Sequence, residues 1–498
     1  MLLLTSTRRL CPLGSGSVVA MMRLGTRPSS SSAAGGGKTK LVILGTGWGG
    51  FRVAREVDKK KYDVTVISPR NHFLFTPLLP STTVGTLEFR CIQEPVRTIK
   101  GLHYLQASVL SVDFKSKTLR CQEVFKGTEH EVDYDSLVIA TGAQNNTFGV
   151  PGVSEENHVF FLKQLGDARN IRNRLLECFE RAASPFISEE ERSRLLSFVV
   201  VGGGPTSIEY AAELHDFLRA DVKRWYPDLQ HKVSVHLVEA SDHIMGTFDE
   251  KLISYTTRLL ENRKVEVLLN TSVASVGPTE CTLGDGRKLP FGLMVWSTGL
   301  APTELVSSME GVEKERGRIK INWRLRVPGM DGVFAMGDAA ANPENPLGPL
   351  AQVADQQGKY LAKCFSKSND PGHSDMPPFH YRHLGSMAQV GDWKAIADLK
   401  GVGGGGGGEA GGPVLDGFLA FATWRSAYWT KTVRILPNSS RWPSAEDFDG
   451  ALREERTREA LFRGGEGATS PQITELRRLT KDDRSERLAA PGMKEKRQ

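Results

Sequence analysis

The chain has 498 residues, of which 39% are hydrophobic and 24% are charged. This composition is ordinary for a globular protein, and the length allows two or three domains with complete cores. Its formal net charge of +6 equals the six basic residues of positions 1–40, which contain no acid. The remainder is therefore neutral, and no basic surplus predicts binding to nucleic acid.

The first 37 residues have the composition of a mitochondrial transit peptide. They are rich in serine and carry arginine, and the first acidic residue of the chain is Glu56. A disordered tail without a targeting role is the alternative. A secretory signal is disfavoured because polar residues interrupt the short leucine run at the start.

The first folded unit is predicted to centre on residues 40–50, KLVILGTGWGG. A buried strand over 41–44 leads into Gly45, Gly47 and Gly50, and a helical run over 51–57 and a strand over 63–67 follow. Glycines in this spacing allow a tight turn, the approach of a pyrophosphate and close packing of helix on strand. The phosphate then lies at the N-terminus of the helix, so the unit predicts a dinucleotide site.

The residues after this unit predict how the first site differs from a typical one. Ser68, followed by Pro69 and Arg70, stands where an acid would bind a ribose, so we expect backbone and hydroxyl contacts to the nucleotide. The apolar stretch 71–90 contains Pro77 and Pro80, which exclude a regular helix or strand. It either covers a flat ligand or packs into the core.

A second glycine turn predicts an internal repeat. The chain between the two turns is predicted to form a strand over 103–113, a hairpin over 115–130, a strand over 134–140 ending in Ala140-Thr141-Gly142, a crossover over 145–152 and a helix over 165–183. It then reads LLSFVVVGGG at 195–204. Pro205 suits the first turn of a helix that runs to about Trp225. Two strand–glycine–helix units in one chain are a far more specific signal of dinucleotide binding than a single unit.

The second copy carries an acid that the first lacks. A strand over 233–238 ends in Glu239, whose carboxylate would accept hydrogen bonds from the adenosine ribose of NADH and repel the 2′-phosphate of NADPH. Ser207 occupies the third glycine position and is small enough for close packing.

The remaining elements mirror the first copy. Strands are predicted over 268–275, over 289–295 before Ser297-Thr298-Gly299, and over 332–336 before Gly337-Asp338, with a helix over 349–364. Asp338 either caps a helix or accepts a hydrogen bond from a ribityl hydroxyl.

The cysteine and histidine spacing predicts no metal site. None of the six cysteines lies in C-x-x-C spacing, so neither zinc nor a redox dithiol is indicated. His380 and His383 lie three apart in a predicted loop, where such a pair is more often structural than metal-binding.

The C-terminal part contains a glycine-rich loop over 401–412 and an aromatic, basic segment over 414–436. No uninterrupted run of 18 apolar residues exists, so nothing is predicted to span a bilayer. The segment is predicted to be an amphipathic helix in the membrane interface, and the alternative is a helix that caps the core. Its predicted apolar face comprises Leu415, Phe418, Leu419, Ala422, Trp429, Val433 and Leu436.

Taken in order, seven motifs resemble the type II, non-proton-pumping NADH:quinone oxidoreductases of respiratory membranes. The resemblance extends over about residues 40–436. The motifs are GTGWGG (45–50), SPRNHFLFTPLLP (68–80), VVVGGGPTSIE (199–209), VWSTG (295–299), FAMGD (334–338), AQVADQ (351–356) and FATWRSAY (421–428).

The resemblance implies two nucleotides and a quinone. It implies FAD at the first turn, contacted by Gly45, Gly47, Trp48, Gly49, Gly50, Ser68, Arg70, Thr76, Pro77, Leu78, Thr141, Gly142, Gly337, Asp338 and Gln352. It implies NADH at the second, contacted by Gly202, Gly204, Pro205, Glu239 and Gly299. Glu209 resembles the acid near the nicotinamide–flavin stack, and Gln352 and Gln356 resemble the glutamines of the quinone site. Ser207 and the intervening Asp355 depart from the usual pattern.

The predicted fold is α/β, with two Rossmann-like dinucleotide-binding domains and a C-terminal membrane-associating segment. The expected ranges are a transit peptide at 1–37, FAD-binding parts at 38–190 and 301–375, an NADH-binding domain at 191–300, a membrane-docking domain at 376–450 and a charged tail at 451–498. Family members are typically homodimers that are peripheral to the mitochondrial inner membrane and reduce ubiquinone.

Two other functions fit parts of the sequence. A sulfide:quinone reductase needs paired reactive thiols near the flavin, and the cysteines here are badly placed for that. A flavoprotein of the apoptosis-inducing-factor group, in which the redox state governs partner binding, would oxidise NADH slowly and keep a long-lived reduced complex.

Overall fold

The computed structural model of this chain describes residues 22–23, 37–367, 377–400 and 413–435. The predictions for most of residues 1–37, the glycine-rich loop 401–412 and the tail 451–498 fall outside these ranges.

The first glycine turn lies at the carboxyl edge of a five-stranded parallel sheet. Its strands are buried and strongly apolar, as expected when helices cover both faces of a parallel sheet. In spatial order they are Val333–Ala335, Ser136–Ile139, Thr39–Leu44, Tyr62–Ile67 and His103–Leu105.

The second glycine turn lies at the carboxyl edge of a second five-stranded parallel sheet, in which the strand that leads into the turn is again the third in spatial order. Its strands are Val159–Phe161, Leu293–Trp296, Ser197–Val201, Ser234–Val238 and Val265–Leu268. The edge strand Val159–Phe161 precedes the third strand in the chain, whereas the corresponding edge strand of the first sheet comes last. This topology confirms the internal repeat. Since Val159–Phe161 pairs with Leu293–Trp296 in this sheet, the expected boundary at residue 190 was wrong and the second module begins before residue 159.

Each parallel sheet has an antiparallel companion, which is inserted along the chain between two of its strands. The first comprises Ala107–Asp113, Thr118–Glu123 and Glu129–Asp133, with Met22–Arg23 alongside. The second comprises Val273–Val276, Glu280–Leu283 and Lys288–Pro290.

Three predicted strands are each divided in two, because the chain passes from a parallel sheet to an antiparallel one or back. The strand expected over 103–113 breaks at Gln106. That expected over 268–275 breaks where Asn270 adopts a left-handed φ of 50°. That expected over 289–295 breaks at Gly292, where a Cβ would lie 2.3 Å from the Leu195 carbonyl oxygen.

Two antiparallel strands join the modules where the chain leaves the first and returns to it, Ala143–Asn145 and Leu300–Pro302. Smaller pairings complete the first module: His72–Leu74 with Gln93–Pro95, and Lys314–Glu315 with Arg318–Lys320 and Ala340–Ala341.

The α-helices include those at the five predicted places and others that the sequence did not predict. They are Trp48–Glu56, Leu79–Thr82, Leu165–Ala183, Glu189–Leu195, Pro205–Phe217, Lys223–Trp225, Glu250–Asn262, Glu304–Ser308, Ala351–Lys367 and Gly417–Ile435. A π-helical turn, Leu218–Val222, joins the fifth and sixth of them.

The stretch over 71–90 is more regular than its prolines predicted. It contains the strand His72–Leu74, a 3₁₀ turn at Thr76–Leu78 and the one-turn helix Leu79–Thr82. Pro80 is accommodated because it lies in the first helical turn, where no backbone N–H is required.

The C-terminal helix packs on a small antiparallel sheet of Ser386–Gln389, Ala395–Asp398 and Val414–Asp416. The helix begins at Gly417, so Leu415 belongs to the sheet and not to the helical face predicted for it. Ala420, Phe421 and Trp424 are buried against the sheet. Among the residues described, no helix is long and apolar enough to cross a membrane.

The predicted apolar face of this helix is turned away from the sheet. Phe418 and Leu419 are 55% and 70% exposed, and Ala422 is also exposed. The side chains of Trp429, Val433 and Leu436 lie outside the described part.

Candidate functional site

The first glycine turn is built for close approach by a ligand. Gly45 has a φ of 101°, and a Cβ there would lie 2.4 Å from the Ala140 carbonyl oxygen. A Cβ on Gly50 would lie 2.1 Å from the Gly45 carbonyl oxygen. The helix starts after Gly47 without a side-chain cap, so its first N–H groups remain available to an anion.

A half-buried cation faces this turn. The Arg70 Nη2 atom lies 3.8 Å from the position of a Cβ on Gly47, and Nη1 donates to Gln164 Oε1 at 2.8 Å. Burial lowers the Arg70 pKa to about 10. Its Nε is a buried donor without a hydrogen-bond partner in the structure, so this guanidinium can donate to a phosphate. Ser68 is buried, and its hydroxyl already contacts Thr46 Oγ1 at 3.2 Å.

The apolar loop after the first βαβ unit packs into the core, which is one of the two alternatives that the sequence left open. Phe73, Phe75 and Leu78 are buried in the core. Trp48 Nε1 donates to Thr76 Oγ1 at 3.0 Å, which ties the loop to the start of the glycine-turn helix. Thr76 and Pro77 are half-buried, so their faces are available to a bound ligand.

Further polar groups follow the strands of the first sheet. Thr141 Oγ1 is buried without a hydrogen-bond partner, directly after strand Ser136–Ile139. Asp338 lies in a 3₁₀ turn, and the next helix starts only at Ala351, so Asp338 is not a helix cap. Burial raises its pKa, while Lys163 lowers it. The first site therefore offers an unpartnered hydroxyl and a carboxylate to a polyhydroxylated ligand.

Lys163 and Gln357 were not identified from the sequence. Burial lowers the pKa of Lys163, although Asp338 acts in the opposite direction. Gln357 accepts the Gly337 N–H through Oε1 at 2.7 Å. Neither has a sequence signal, because only the fold brings them to the end of the first sheet.

The second glycine turn repeats the geometry of the first. Gly202 has a φ of 109°, and a Cβ there would lie 2.8 Å from the Ser297 carbonyl oxygen. Gly204 precedes the helix without a side-chain cap, and Pro205 occupies its first position. Ser207 is buried, and its hydroxyl donates to the Ser297 carbonyl oxygen at 3.3 Å. The serine therefore replaces the third glycine at no cost in packing.

Glu239 is fixed at the rim of this turn. Its carboxylate accepts the Gly203 N–H, and its Oε1 accepts the Ser241 N–H at 2.8 Å. A Cβ on Gly203 would lie 2.9 Å from Glu239 Oε2, so only glycine lets the acid close on the turn. The carboxylate is half-buried and retains lone pairs for ribose hydroxyls.

Two carboxyl groups are buried on the helix that starts at the second turn. Glu209 accepts the Gln389 N–H at 3.3 Å, and burial raises its pKa to about 8. Glu213 lies one turn further on, and Ser81 and Thr86 of the first module donate to it. Burial raises the pKa of Glu213 too, while these hydroxyls lower it. Sequence reasoning identified Glu209 but missed Glu213.

Gln352 and Gln356 hold a loop against helix Ala351–Lys367. Gln352 accepts the Leu384 N–H at 3.1 Å and donates to the Gly385 carbonyl oxygen at 3.2 Å. Gln356 accepts the Arg382 N–H at 3.0 Å and donates to the carbonyl oxygen of the same residue at 2.8 Å. Each glutamine side chain therefore both donates to and accepts from the backbone of the loop, as a neighbouring strand would.

Asp355, between the two glutamines, joins this helix to the glycine-turn helix. Arg52 Nε donates to Asp355 Oδ1 at 2.6 Å. The glycines make this close approach possible, since a Cβ on Gly358 would lie 2.7 Å from the Gly49 carbonyl oxygen.

The described cysteines form no dithiol. Cys121, Cys178, Cys281 and Cys364 are buried, Cys91 is half-buried, and none of the five forms a disulfide. Cys11 lies outside the described residues.

Comparisons with known proteins agree with this geometry. Residues 39–358 match the family described as pyridine nucleotide-disulphide oxidoreductase. A Dictyostelium discoideum protein named probable NADH dehydrogenase is 42% identical over 397 residues, which cover 79% of this chain and 85% of the relative. The internal alternative NAD(P)H-ubiquinone oxidoreductase A1 of Solanum tuberosum mitochondria is 42% identical over 422 residues, covering 80% and 83%. The chain belongs to the type II NADH:ubiquinone oxidoreductase family.

A solved structure supports the fold of this type II chain over most of its length. The NDH2 protein of Plasmodium falciparum, in complex with NADH, superposes with a TM-score of 0.74 at 28% identity. The match covers 82% of this chain and 97% of that one. The predicted α/β fold with two dinucleotide-binding domains is thereby confirmed.

Proposed function

We propose that this chain oxidises NADH through bound FAD and passes the electrons to ubiquinone, without pumping protons, at the mitochondrial inner membrane. The observation that carries the proposal is the duplicated glycine turn, of which only the second has a carboxylate at its rim. The family assignment supports it, since relatives named as mitochondrial NAD(P)H-ubiquinone oxidoreductases align over about four-fifths of the chain.

The two turns suit different nucleotides. At the first, Arg70 supplies a half-buried positive charge, and Thr141 and Asp338 are polar groups suited to a ribityl chain, so FAD fits there. At the second, Glu239 suits an adenosine ribose with two free hydroxyls, so NADH fits there. FAD, when bound, supplies a hydride acceptor that can release electrons to a second substrate.

The remaining residues position the reactants and hold protons. Glu209, with its raised pKa, holds a proton near neutral pH at the junction of the two modules. Gln352 and Gln356 fix the loop around residues 382–385 beside the helix that packs on the first glycine turn. We assign them to the wall of the quinone site, where they shape the cavity by holding this loop.

We further propose that residues 1–37 form a transit peptide and that the C-terminal domain docks on the membrane surface. The exposed Phe418 and Leu419 form an apolar surface beside Arg425, which lies 5.7 Å from the Phe421 ring centroid. An exposed aromatic and aliphatic patch with nearby cations is typical of helices that bind the bilayer interface.

Vesicle sedimentation tests the docking proposal. The double variant Phe418→Ser, Leu419→Ser should bind mixed anionic liposomes at least tenfold more weakly, since two apolar side chains no longer leave water. Phe186→Ser is the matched control, because Phe186 is 95% exposed on the second module. Truncation before Pro413 should release the protein altogether, and undiminished binding by that truncated form would refute docking through this helix.

The family resemblance also leads us to propose a homodimer. Sedimentation equilibrium of the purified protein in detergent measures the mass directly, and a monomer at micromolar concentration would contradict this proposal.

Steady-state kinetics test the proposed function. Purified protein should release FAD on denaturation and oxidise NADH rapidly only when a short-chain ubiquinone analogue is present. Slow NADH oxidation with a long-lived reduced complex, or a preparation that retains no flavin, would contradict the proposal.

A further inference from the structure

Glu213 is a buried acid that the proposed reaction has not used. It lies four residues after Glu209 on helix Pro205–Phe217, and residues at this spacing share a helix face. Both side chains are buried, and neither carboxyl group has an ion-pair partner among the described residues. Two like acids in such a position cannot both ionise easily.

The hydrogen bonds to the two groups are unequal. Glu213 accepts two hydroxyl donors, Ser81 Oγ and Thr86 Oγ1, each at 2.6 Å. Glu209 accepts one backbone N–H, from Gln389, at 3.3 Å. Short hydrogen bonds from hydroxyl groups stabilise a carboxylate, whereas a single long one stabilises it little.

The surroundings do not offset this difference. The loop that contains Ser81 and Thr86 presents two hydroxyl groups to Glu213, and strand Ser386–Gln389 presents a backbone N–H to Glu209. Asp216, one turn further along, raises the pKa of Glu213 and so opposes the two hydroxyl groups, but its effect is smaller than that of either hydrogen bond. Arg172 reaches Gly85, the neighbour of Thr86, and does not bond to either carboxylate.

We propose that Glu213 is a positioning residue for the reaction: held as the anion by Ser81 and Thr86, its charge keeps a proton on Glu209. The proton is thereby placed on the group closer to the start of the helix and hence to the glycine turn. Because Ser81 and Thr86 belong to the first module, the distribution of charge within the pair depends on contact between the modules.

This inference rests on the proposed function, since it gives Glu209 the role of proton donor during quinone reduction. The wild-type protein should therefore lose kcat/KM for a ubiquinone analogue as the pH rises through about 8, where Glu209 loses its proton.

The test measures the midpoint of this pH profile in the FAD-loaded enzyme, that is, the pH at which kcat/KM for the ubiquinone analogue has fallen to half. Glu213→Gln keeps the shape and both hydroxyl contacts but removes the negative charge, so the midpoint should move down by about one pH unit. Thr86→Val removes one donor to Glu213 and should move the midpoint in the same direction by less. Thr98→Val is the matched control, because the Thr98 hydroxyl bonds only to the Pro95 carbonyl oxygen at 2.7 Å. Its midpoint should equal that of the wild type.

An infrared titration without turnover gives a second measurement. The C=O band of a protonated carboxyl group, absent in Glu209→Gln, should disappear at lower pH in Glu213→Gln than in the wild type. Unmoved midpoints in both Glu213→Gln and Thr86→Val would overturn the inference; if the first variant does not fold, Thr86→Val and Ser81→Ala decide it. Failure of the wild type to reduce the quinone at all would instead contradict the proposed function.

Discussion

The two glycine turns share a backbone and differ in charge. Gly45 and Gly202 adopt nearly the same left-handed conformation, with φ of 101° and 109°, and each packs against the carbonyl oxygen of a neighbouring strand end. The first turn faces the guanidinium of Arg70, whereas the second faces the carboxylate of Glu239. A duplicated scaffold has therefore been adapted to two nucleotides by changing a few side chains around an unchanged turn.

The helices that follow the turns differ in the same way. Counted from the glycines, Arg52 of the first helix corresponds to Glu209 of the second, and Glu56 corresponds to Glu213. Arg52 forms ion pairs with Glu56 and Asp355 at 2.9 and 2.6 Å, so it fastens two helices together. At the corresponding place in the second module, two buried acids lack a cation and are suited to holding a proton.

The largest expected effects come from filling the turns. Gly45→Ala should reduce bound FAD more than tenfold, because its Cβ would overlap a carbonyl oxygen and its φ strains any side chain. Gly202→Ala should raise KM for NADH at least tenfold and leave flavin content unchanged. Gly166→Ala, on helix Leu165–Ala183 and away from both turns, is the matched control, since a Cβ there meets nothing within 4 Å. Loss of flavin in both Gly45→Ala and Gly202→Ala would show that the turns are not specialised.

Removing the acid at the second turn should have the next largest effect. Glu239→Gln should reduce the preference for NADH over NADPH by roughly 10- to 100-fold, because hydrogen bonds to a charged group contribute about 1.5–3 kcal/mol. Glu266→Gln, at an exposed glutamate of the neighbouring strand, serves as the control. The ratio of kcat/KM values for the two cofactors measures the effect, and an unchanged ratio would place the ribose elsewhere.

Removing the cation at the first turn should weaken FAD binding about tenfold. Arg70→Gln keeps a donor for Gln164 but loses the charge that faces the phosphates. Flavin retention after dialysis at low and high salt measures this, and Arg120→Gln on the surface hairpin should retain flavin as the wild type does. Equal retention by Arg70→Gln would remove the charge argument for the first site.

The last prediction concerns stability and its dependence on pH, not the binding of a nucleotide. Glu209 has a pKa of about 8 in the folded chain, above its value when unfolded, so the folded state binds more protons and loses stability as pH rises from about 4.5 to 8. Glu209→Gln should therefore be more stable than the wild type at pH 8, by on the order of 2–4 kcal/mol, and equal to it near pH 4. Urea unfolding of both proteins at pH 4 and pH 8 measures the difference in their free energies of unfolding. A difference that did not change with pH would contradict the prediction.

The sequence predicted what depends on local pattern. Both glycine turns, Glu239 and the ends of helix Leu165–Ala183 agree with the structure, because glycine conformation and apolar periodicity are local properties. Divided strands were predicted as single ones, since an alternating run does not show which sheet receives each half. Glu213 and Lys163 could not have been found, because their partners lie far away along the chain.

The C-terminal helix shows the same limit in another form. Its apolar face was predicted from a helical wheel, and Phe418 and Leu419 of that face are exposed. The residues that pack on the sheet, Phe421 and Trp424, were identified as aromatic but not as core. A helix that is apolar on several sides does not reveal from sequence alone which side its own domain covers.

The strand pair of Ala143–Asn145 and Leu300–Pro302 has a consequence for how the protein is made. The second module lies entirely between these strands, and the edge strand Val333–Ala335 of the first sheet is translated only after it. On the ribosome, the second module can therefore close while the first sheet still lacks an edge strand. Pulse-labelled nascent chains should become protease-resistant in that order, the reverse of the order in which the two modules begin in the gene.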